Sequence, residues 1–237
     1  MDEIEPAPAI VGQAERFLIY IHANRVQVSP ESGLIENQSL REIVRLFDPT
    51  AGRYGYLADE RCYPDVFFVD TLCRFSGLTA CFDAALSVSQ FGYLFLSREP
   101  KRRLIMLASA YVNDYPWSVL FPRGDLGHRI TERRAEVLDL ILSLEPDSAV
   151  QLDEFSERLR ENLGIVLSDK NPPYPGLIFE WVIRHILIKP LSRLAVVRLL
   201  TDDGKQVDDI KSTRSFELTK DGRELLMLRE VKYAEVQ

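Results

Sequence analysis

The stretch Phe216-Glu217-Leu218-Thr219-Lys220-Asp221-Gly222-Arg223-Glu224-Leu225-Leu226 organises the chain. Phe216 and Leu218 alternate about a charged residue, as in a short strand with one face inward. Thr219 follows in the place of a helix cap, and Gly222 stands three residues later. The same order, apolar, any, apolar, Ser/Thr, any, any, Gly, recurs at Leu86-Ser87-Val88-Ser89-Gln90-Phe91-Gly92. A looser copy with one extra residue runs from Val26 through Val28 and Ser29 to Gly33. The repeat predicts a strand passing into a capped helix at each place.

Working outward from Phe216, the second half reads as helices followed by a hairpin. Thr131 is placed to cap a helix to Leu144, closed by Pro146. Leu152, Phe155, Leu159 and Leu163 mark one face of the next helix, and Gly164 ends it. Ile165 to Gly176 is a loop holding Pro172, Pro173 and Pro175. Leu177 to Lys189 is helical, with a kink or restart at Pro190. Val196–Leu200 and Arg214–Leu218 are strands about a polar hairpin, and Thr219 opens a last helix.

The first half follows a similar order. Ile10 to Asn24 has helical spacing, Asn37 is placed to cap a second helix, and Asp65 to Ser76 is a strongly apolar third. Two short strands, Leu78–Phe82 and Ala85–Val88, precede the helix capped by Ser89, and Pro100 starts another. Tyr115 to Leu126 is irregular, so the expected domains are 1–126 and 127–237.

The run of helices, strand, polar hairpin, strand and closing helix over Thr131–Arg229 resembles a winged helix-turn-helix domain. Asn37–Leu96 follows the same order with a shorter hairpin. The resemblance implies a mainly α fold with short β-hairpins, built as tandem winged-helix-like domains. Such domains serve DNA binding and protein docking alike.

Several features favour docking. Plotted as a regular helix, Leu177–Lys189 gathers Phe179, Val182, Ile183, Ile186 and Leu187 on a core side. Arg184, His185, Lys189 and Ser192 lie away from it, as a groove-reading helix requires, but Trp181 and Ile188 share that outer side. The loop before this helix is far longer than the usual turn of about three or four residues. Across the hairpin, Asp202, Asp203, Asp208 and Asp209 outnumber Lys205, Lys211 and Arg214, which repels phosphate. The expectation is a non-catalytic intracellular docking or regulatory protein that recognises another protein. A sequence-specific DNA-binding transcriptional regulator is the alternative. The expected contact residues are Tyr174, Trp181, Arg184, His185, Ile188 and Lys189. Trp and Arg are frequent interface anchors.

A second candidate is the basic run Arg98, Lys101, Arg102 and Arg103. Cations at a helix N-terminus oppose the helix dipole. That placement predicts an anion or an acidic partner surface there.

Composition narrows the remaining classes. The 237 residues carry 29 basic and 36 acidic side chains, net −7, so any binding of nucleic acid or anionic membrane requires a local patch. No phosphate-cradling glycine loop, nucleophile elbow or metal-ligand spacing is present, and His22, His128 and His185 lie far apart. No enzyme activity, cofactor or metal is expected. Three cysteines without a close pair read as free thiols of a reducing cytoplasm, with Cys73 and Cys81 as core filling. The acidic start lacks a leader pattern. Gly77–Ser97 reads as strand then helix and not as a membrane span.

Overall fold

The computed structural model describes residues 8–50, 59–122, 125–166, 175–201, 203–207, 210 and 212–227. The chain is mainly helical, with two small antiparallel sheets of three strands each. It divides into two compact units, Met1–Tyr115 and Pro116–Gln237. The division falls ahead of the 126/127 boundary read from the sequence. Residues 117–120 form a single tight turn that packs on helix Leu126–Glu132, where Ser118 N–H donates to Thr131 Oγ1 at 3.1 Å.

The first unit runs α1 (Ala9–Ala23), β1 (Val26–Gln27), α2 (Asn37–Phe47), α3 (Pro64–Phe75), β2 (Thr79–Phe82), β3 (Ala85–Val88), α4 (Gln90–Ser97) and α5 (Pro100–Asn113). Its sheet has the order β1-β3-β2. Ile10, Ala14, Phe17, Leu18 and Ile21 bury one stripe of α1, as their spacing requires. Asn37 is the first residue of α2, not its cap; Glu36 stands before it without a side-chain cap bond.

The second unit runs α6 (Leu126–Glu132), α7 (Arg134–Leu142), β4 (Ala149–Gln151), α8 (Leu152–Asn162), α9 (Pro175–Ile183), a π-helical turn (Arg184–Ile188), α10 (Lys189–Arg193), β5 (Val197–Leu200), β6 (Ser215–Leu218) and α11 (Lys220–Met227). Its sheet has the order β4-β6-β5. Leu138, Ile141, Phe155, Leu159, Ile183, Ile186 and Val197 are all buried. The helix expected to open at Thr131 is instead two pieces. Thr131 lies inside α6, where its hydroxyl donates to Gly127 O at 2.7 Å, and Arg133 breaks the path before α7.

The repeated motif builds the same joint twice. Ser89 Oγ accepts from Gly92 N–H at 2.9 Å, and Thr219 Oγ1 accepts from Gly222 N–H at 2.8 Å. Each cap also reaches back to the turn before the neighbouring strand. Ser89 Oγ–H donates to Gly77 O at 2.6 Å, and Thr219 Oγ1–H donates to Ala195 O at 3.0 Å. A Cβ on Gly92 would lie 2.3 Å from Leu78 O, and one on Gly222 would lie 2.0 Å from Val196 O. The glycine lets the helix sit directly on the backbone entering the strand. The Val26 copy departs from this. β1 ends at Gln27, and Ser29 closes a turn in which Gly33 N–H donates to Ser29 O at 2.8 Å, and no helix starts there; α2 begins only at Asn37.

Candidate docking surface

α9, the π turn and α10 run on from one another, and the π turn decides which side chains face out. Pro190 has no N–H to give the carbonyl four residues earlier, and its ring crowds that carbonyl. A wider turn ahead of it accommodates the proline and adds a residue to the helical count. Side chains beyond Ile183 are therefore rotated from the regular phase.

Upstream of the π turn Trp181 faces outward, joined by Leu177 and Ile178, which the sequence reading did not place there. Leu177 is 61% exposed and Trp181 49%, with Ile178 beside them. Phe179, Val182 and Ile183 face the core. Phe121 meets the Trp181 ring edge-on at 5.5 Å, and the His185 ring lies against it at 4.2 Å. His185 Nδ1–H donates to Trp181 O at 2.8 Å. Burial pushes the His185 pKa below its usual value.

Within the π turn the expectation fails at two residues. Ile188 is fully buried. Arg184 is only 9% exposed; its guanidinium donates to Ile210 O at 2.8 Å and Thr213 O at 2.6 Å, and pairs with Glu180 at 2.5 Å. It fastens the returning arm of the hairpin to the helix and offers nothing to a partner. Lys189 is half-buried. Tyr174 lies outside the described residues.

Beside this face an open cleft of about 540 Å³ separates α8 from α9. Asp153, Glu154 and Glu157 line it from α8, and Leu177, Phe179 and Glu180 line it from α9. Ser156 and Arg160 complete the α8 side, and Arg160 is held by Glu157 and bonded to it at 3.0 Å through Nε. Sequence reasoning missed this cleft, because α8 and α9 are separated in the sequence by the proline loop.

The basic run does not act as one site. The Arg103 side chain is 12% exposed. It pairs with Glu15 at 2.8 Å and donates to Arg98 O and Leu96 O, each at 2.7 Å. It thus satisfies carbonyls left open at the end of α4 and ties the start of α5 to α1. Lys101 and Arg102 are exposed and Arg98 half-buried.

The first unit holds a polar cluster that the sequence did not announce. Glu60 and Asp70 are both buried. Arg74 meets Asp70 through Nε at 2.8 Å and through a second nitrogen at 2.6 Å, and reaches Gly33 O at 2.7 Å. Glu60 Oε2 accepts from Ile35 N–H at 2.8 Å, while Oε1 is buried with no donor. Burial, then the neighbouring Asp70 carboxylate, pushes the Glu60 pKa up to about 8, and burial raises that of Asp70. The Asp70 carboxylate beside it thus favours the protonated form of Glu60. Asp70 and Arg74, four residues apart in an apolar helix, were the legible signal. The cluster locks the 29–36 turn and the Glu60–Cys62 turn onto α3, which is a structural role.

α3 itself has no free reading face. Val66 and every residue from Phe68 through Cys73 are buried. Tyr111 of α5 lies edge-on to Phe68 at 5.8 Å, and Tyr115 meets Phe68 and Phe75 while bonding Thr71 Oγ1 at 2.8 Å. Cys73 is buried as expected, but Cys81 is exposed on the short β2–β3 hairpin.

Among the described residues no group of His, Cys, Asp or Glu is arranged to hold a metal, and no helix is long and apolar enough to cross a membrane. No family model, curated protein or solved structure matches the chain.

Proposed function

We propose that the chain is a non-catalytic docking protein of two winged-helix-like domains, which recognises a protein partner through the outer face of α9. Both units contain the run helix, strand, helix, helix, strand, strand, helix, taking α9 to α10 as one interrupted helix, and in both the first strand pairs with the third. That shared order supports the tandem reading.

The observation that carries the docking reading is the character of α9. Its outer face shows Leu177, Ile178 and Trp181 to solvent, while Arg184, which follows it in the π turn, is turned inward and bonded. A helix that reads DNA needs exposed cations and polar groups for phosphates and base edges. α9 has an apolar stripe instead, and α3 of the first unit is closed over by α5. An exposed aromatic and aliphatic stripe marks a protein contact.

The test compares the wild-type chain with a Leu177→Ser, Trp181→Ser variant as baits for proteins of the source cell. A partner retained by the first and lost by the second, with both baits equally folded by circular dichroism, is the expected result. Retention of the chain on duplex DNA with a steep salt dependence would refute docking and establish the DNA-binding regulator instead.

A further inference from the structure

The α8–α9 cleft is built to take a long basic side chain, and we propose that its occupant is a lysine- or arginine-bearing amphipathic segment of the protein partner. This inference rests on the docking reading and assigns the chemistry of the partner.

Three independent features point to such an occupant. The first is charge. Asp153, Glu154, Glu157 and Glu180 face the cleft against Arg160 alone. Glu157 is neutralised by Arg160 and Glu180 by Arg184, but among the described residues Asp153 and Glu154 have no ion-pair partner. Both lie in the first turn of α8, where the helix dipole favours them. The dipole steadies both carboxylates but is not a counter-ion, so their charge stays open to the cleft.

The second feature is an unanswered polar atom. Ser156 lines the cleft and is 2% exposed, yet its Oγ has no hydrogen-bond partner. A buried hydroxyl left open costs about 1–3 kcal/mol, so such groups are normally satisfied. The Oγ is closed to solvent, so an ammonium or guanidinium N–H reaches it as the occupant parts the side chains of α8 and α9, and then supplies the missing donor.

The third feature is the apolar wall. Phe179 and Leu177 line the cleft from α9, and Leu177, 61% exposed, belongs both to the cleft and to the stripe that continues to Trp181. Lysine and arginine bury their aliphatic stems along such walls while the charged head stays among polar groups. A basic side chain therefore fits the cleft along its whole length, and apolar neighbours in the same segment fall on Ile178 and Trp181. The same carboxylates repel phosphate, so nucleic acid and anionic lipid surfaces are poor occupants.

The test selects a displayed library of random peptides of about sixteen residues on the immobilised full-length chain at low salt, then measures chosen peptides by fluorescence anisotropy. Enriched peptides should combine Lys or Arg with apolar residues. Replacing the basic residue of the peptide by Ala should weaken binding about tenfold, and the Asp153→Asn, Glu154→Gln variant should do the same. Ser156→Ala should weaken it less, and all effects should shrink as salt rises. Melting of both variants followed by circular dichroism confirms that the fold is retained. Enriched peptides that are neutral or acidic, or that bind the Asn/Gln variant as well as the wild type, overturn the cleft proposal. If those peptides are still lost on Leu177→Ser, Trp181→Ser, the docking reading survives alone. A chain that enriches no peptide overturns both.

Discussion

Replacing Gly222 by Ala sets two effects of known sign against each other. Gly222 is the third residue of α11. An exposed helical position gains about 1 kcal/mol when Gly becomes Ala. Here the new methyl would lie 2.0 Å from Val196 O and 2.6 Å from Val196 C and Cα. These are backbone atoms at the entry to β5, and they cannot swing aside as a side-chain tip can. The start of α11 must lift, which stretches the Thr219 N–H to Val196 O bond of 3.1 Å and the Thr219 hydroxyl bond to Ala195 O. Overpacking costs about 1–3 kcal/mol, and loss of the cap adds about 1 kcal/mol. The net result is a destabilisation of about 1–3 kcal/mol, opposite in sign to propensity alone.

The assay has a built-in address. Both tryptophans, Trp117 and Trp181, lie in the second unit, so urea unfolding followed by tryptophan emission reports that unit. Gly222→Ala should lower the emission midpoint. Gly92→Ala, whose methyl would meet Leu78 O at 2.3 Å, should lower the far-ultraviolet dichroism midpoint of the first unit and leave emission in place. Gly12 in α1 has nothing within 4 Å of its added methyl, so Gly12→Ala should be neutral or stabilising by up to about 1 kcal/mol. A Gly222→Ala midpoint equal to or above the wild type would refute the close-approach explanation of the repeated glycine.

Leu159→Ala removes a fully buried side chain of α8 and should cost about 2–5 kcal/mol in a urea melt followed by emission; a loss within error would refute its place in the core. Arg103→Ala loses two bonds to backbone carbonyls and the Glu15 pair, and should destabilise the first unit by about 1–2 kcal/mol, whereas exposed Arg102→Ala should stay within about 0.5 kcal/mol. The Glu60 carboxyl is raised to about 8 in the folded chain, so between its ordinary value and 8 the folded state binds more protons than the unfolded one. Its contribution is therefore fully present in mild acid and declines as pH rises towards 8; Glu60→Gln, which does not ionise, should flatten the fall in the first unit's urea midpoint between pH 5 and 8.

What the sequence made legible follows from local physics. Ser89 and Thr219 cap helices because a hydroxyl and the helix N–H groups it serves are neighbours in the chain. The alternation at Leu86–Val88 and Phe216–Leu218 marks strands for the same reason. β4 escaped notice because Ala149 and Gln151 are exposed and its pairing with β6 joins segments far apart in the chain. The burial of Ile188 and Arg184 escaped because a regular helical phase cannot anticipate the extra residue of a π turn, although Pro190 was in view. Arg103 read as a free cation because Glu15, its partner, lies on another helix. The α8–α9 cleft and the Glu60–Asp70 cluster exist only once distant segments meet.

α3 of the first unit and α9 of the second are put to opposite uses. In the first, α5 lays Tyr111 against α3, and the chain turns its third helix into core. In the second, α9 keeps Leu177, Ile178 and Trp181 in water. Covering such side chains fully contributes about 1.5–3 kcal/mol each. Association must first overcome about 4–15 kcal/mol of lost translational and rotational freedom. The stripe alone therefore cannot hold a partner at the roughly 8 kcal/mol of a micromolar complex. A partner that binds through α9 needs a second foothold, and the unpaired carboxylates and open Ser156 hydroxyl of the adjoining cleft provide one that also fixes which segment binds and in which direction it lies.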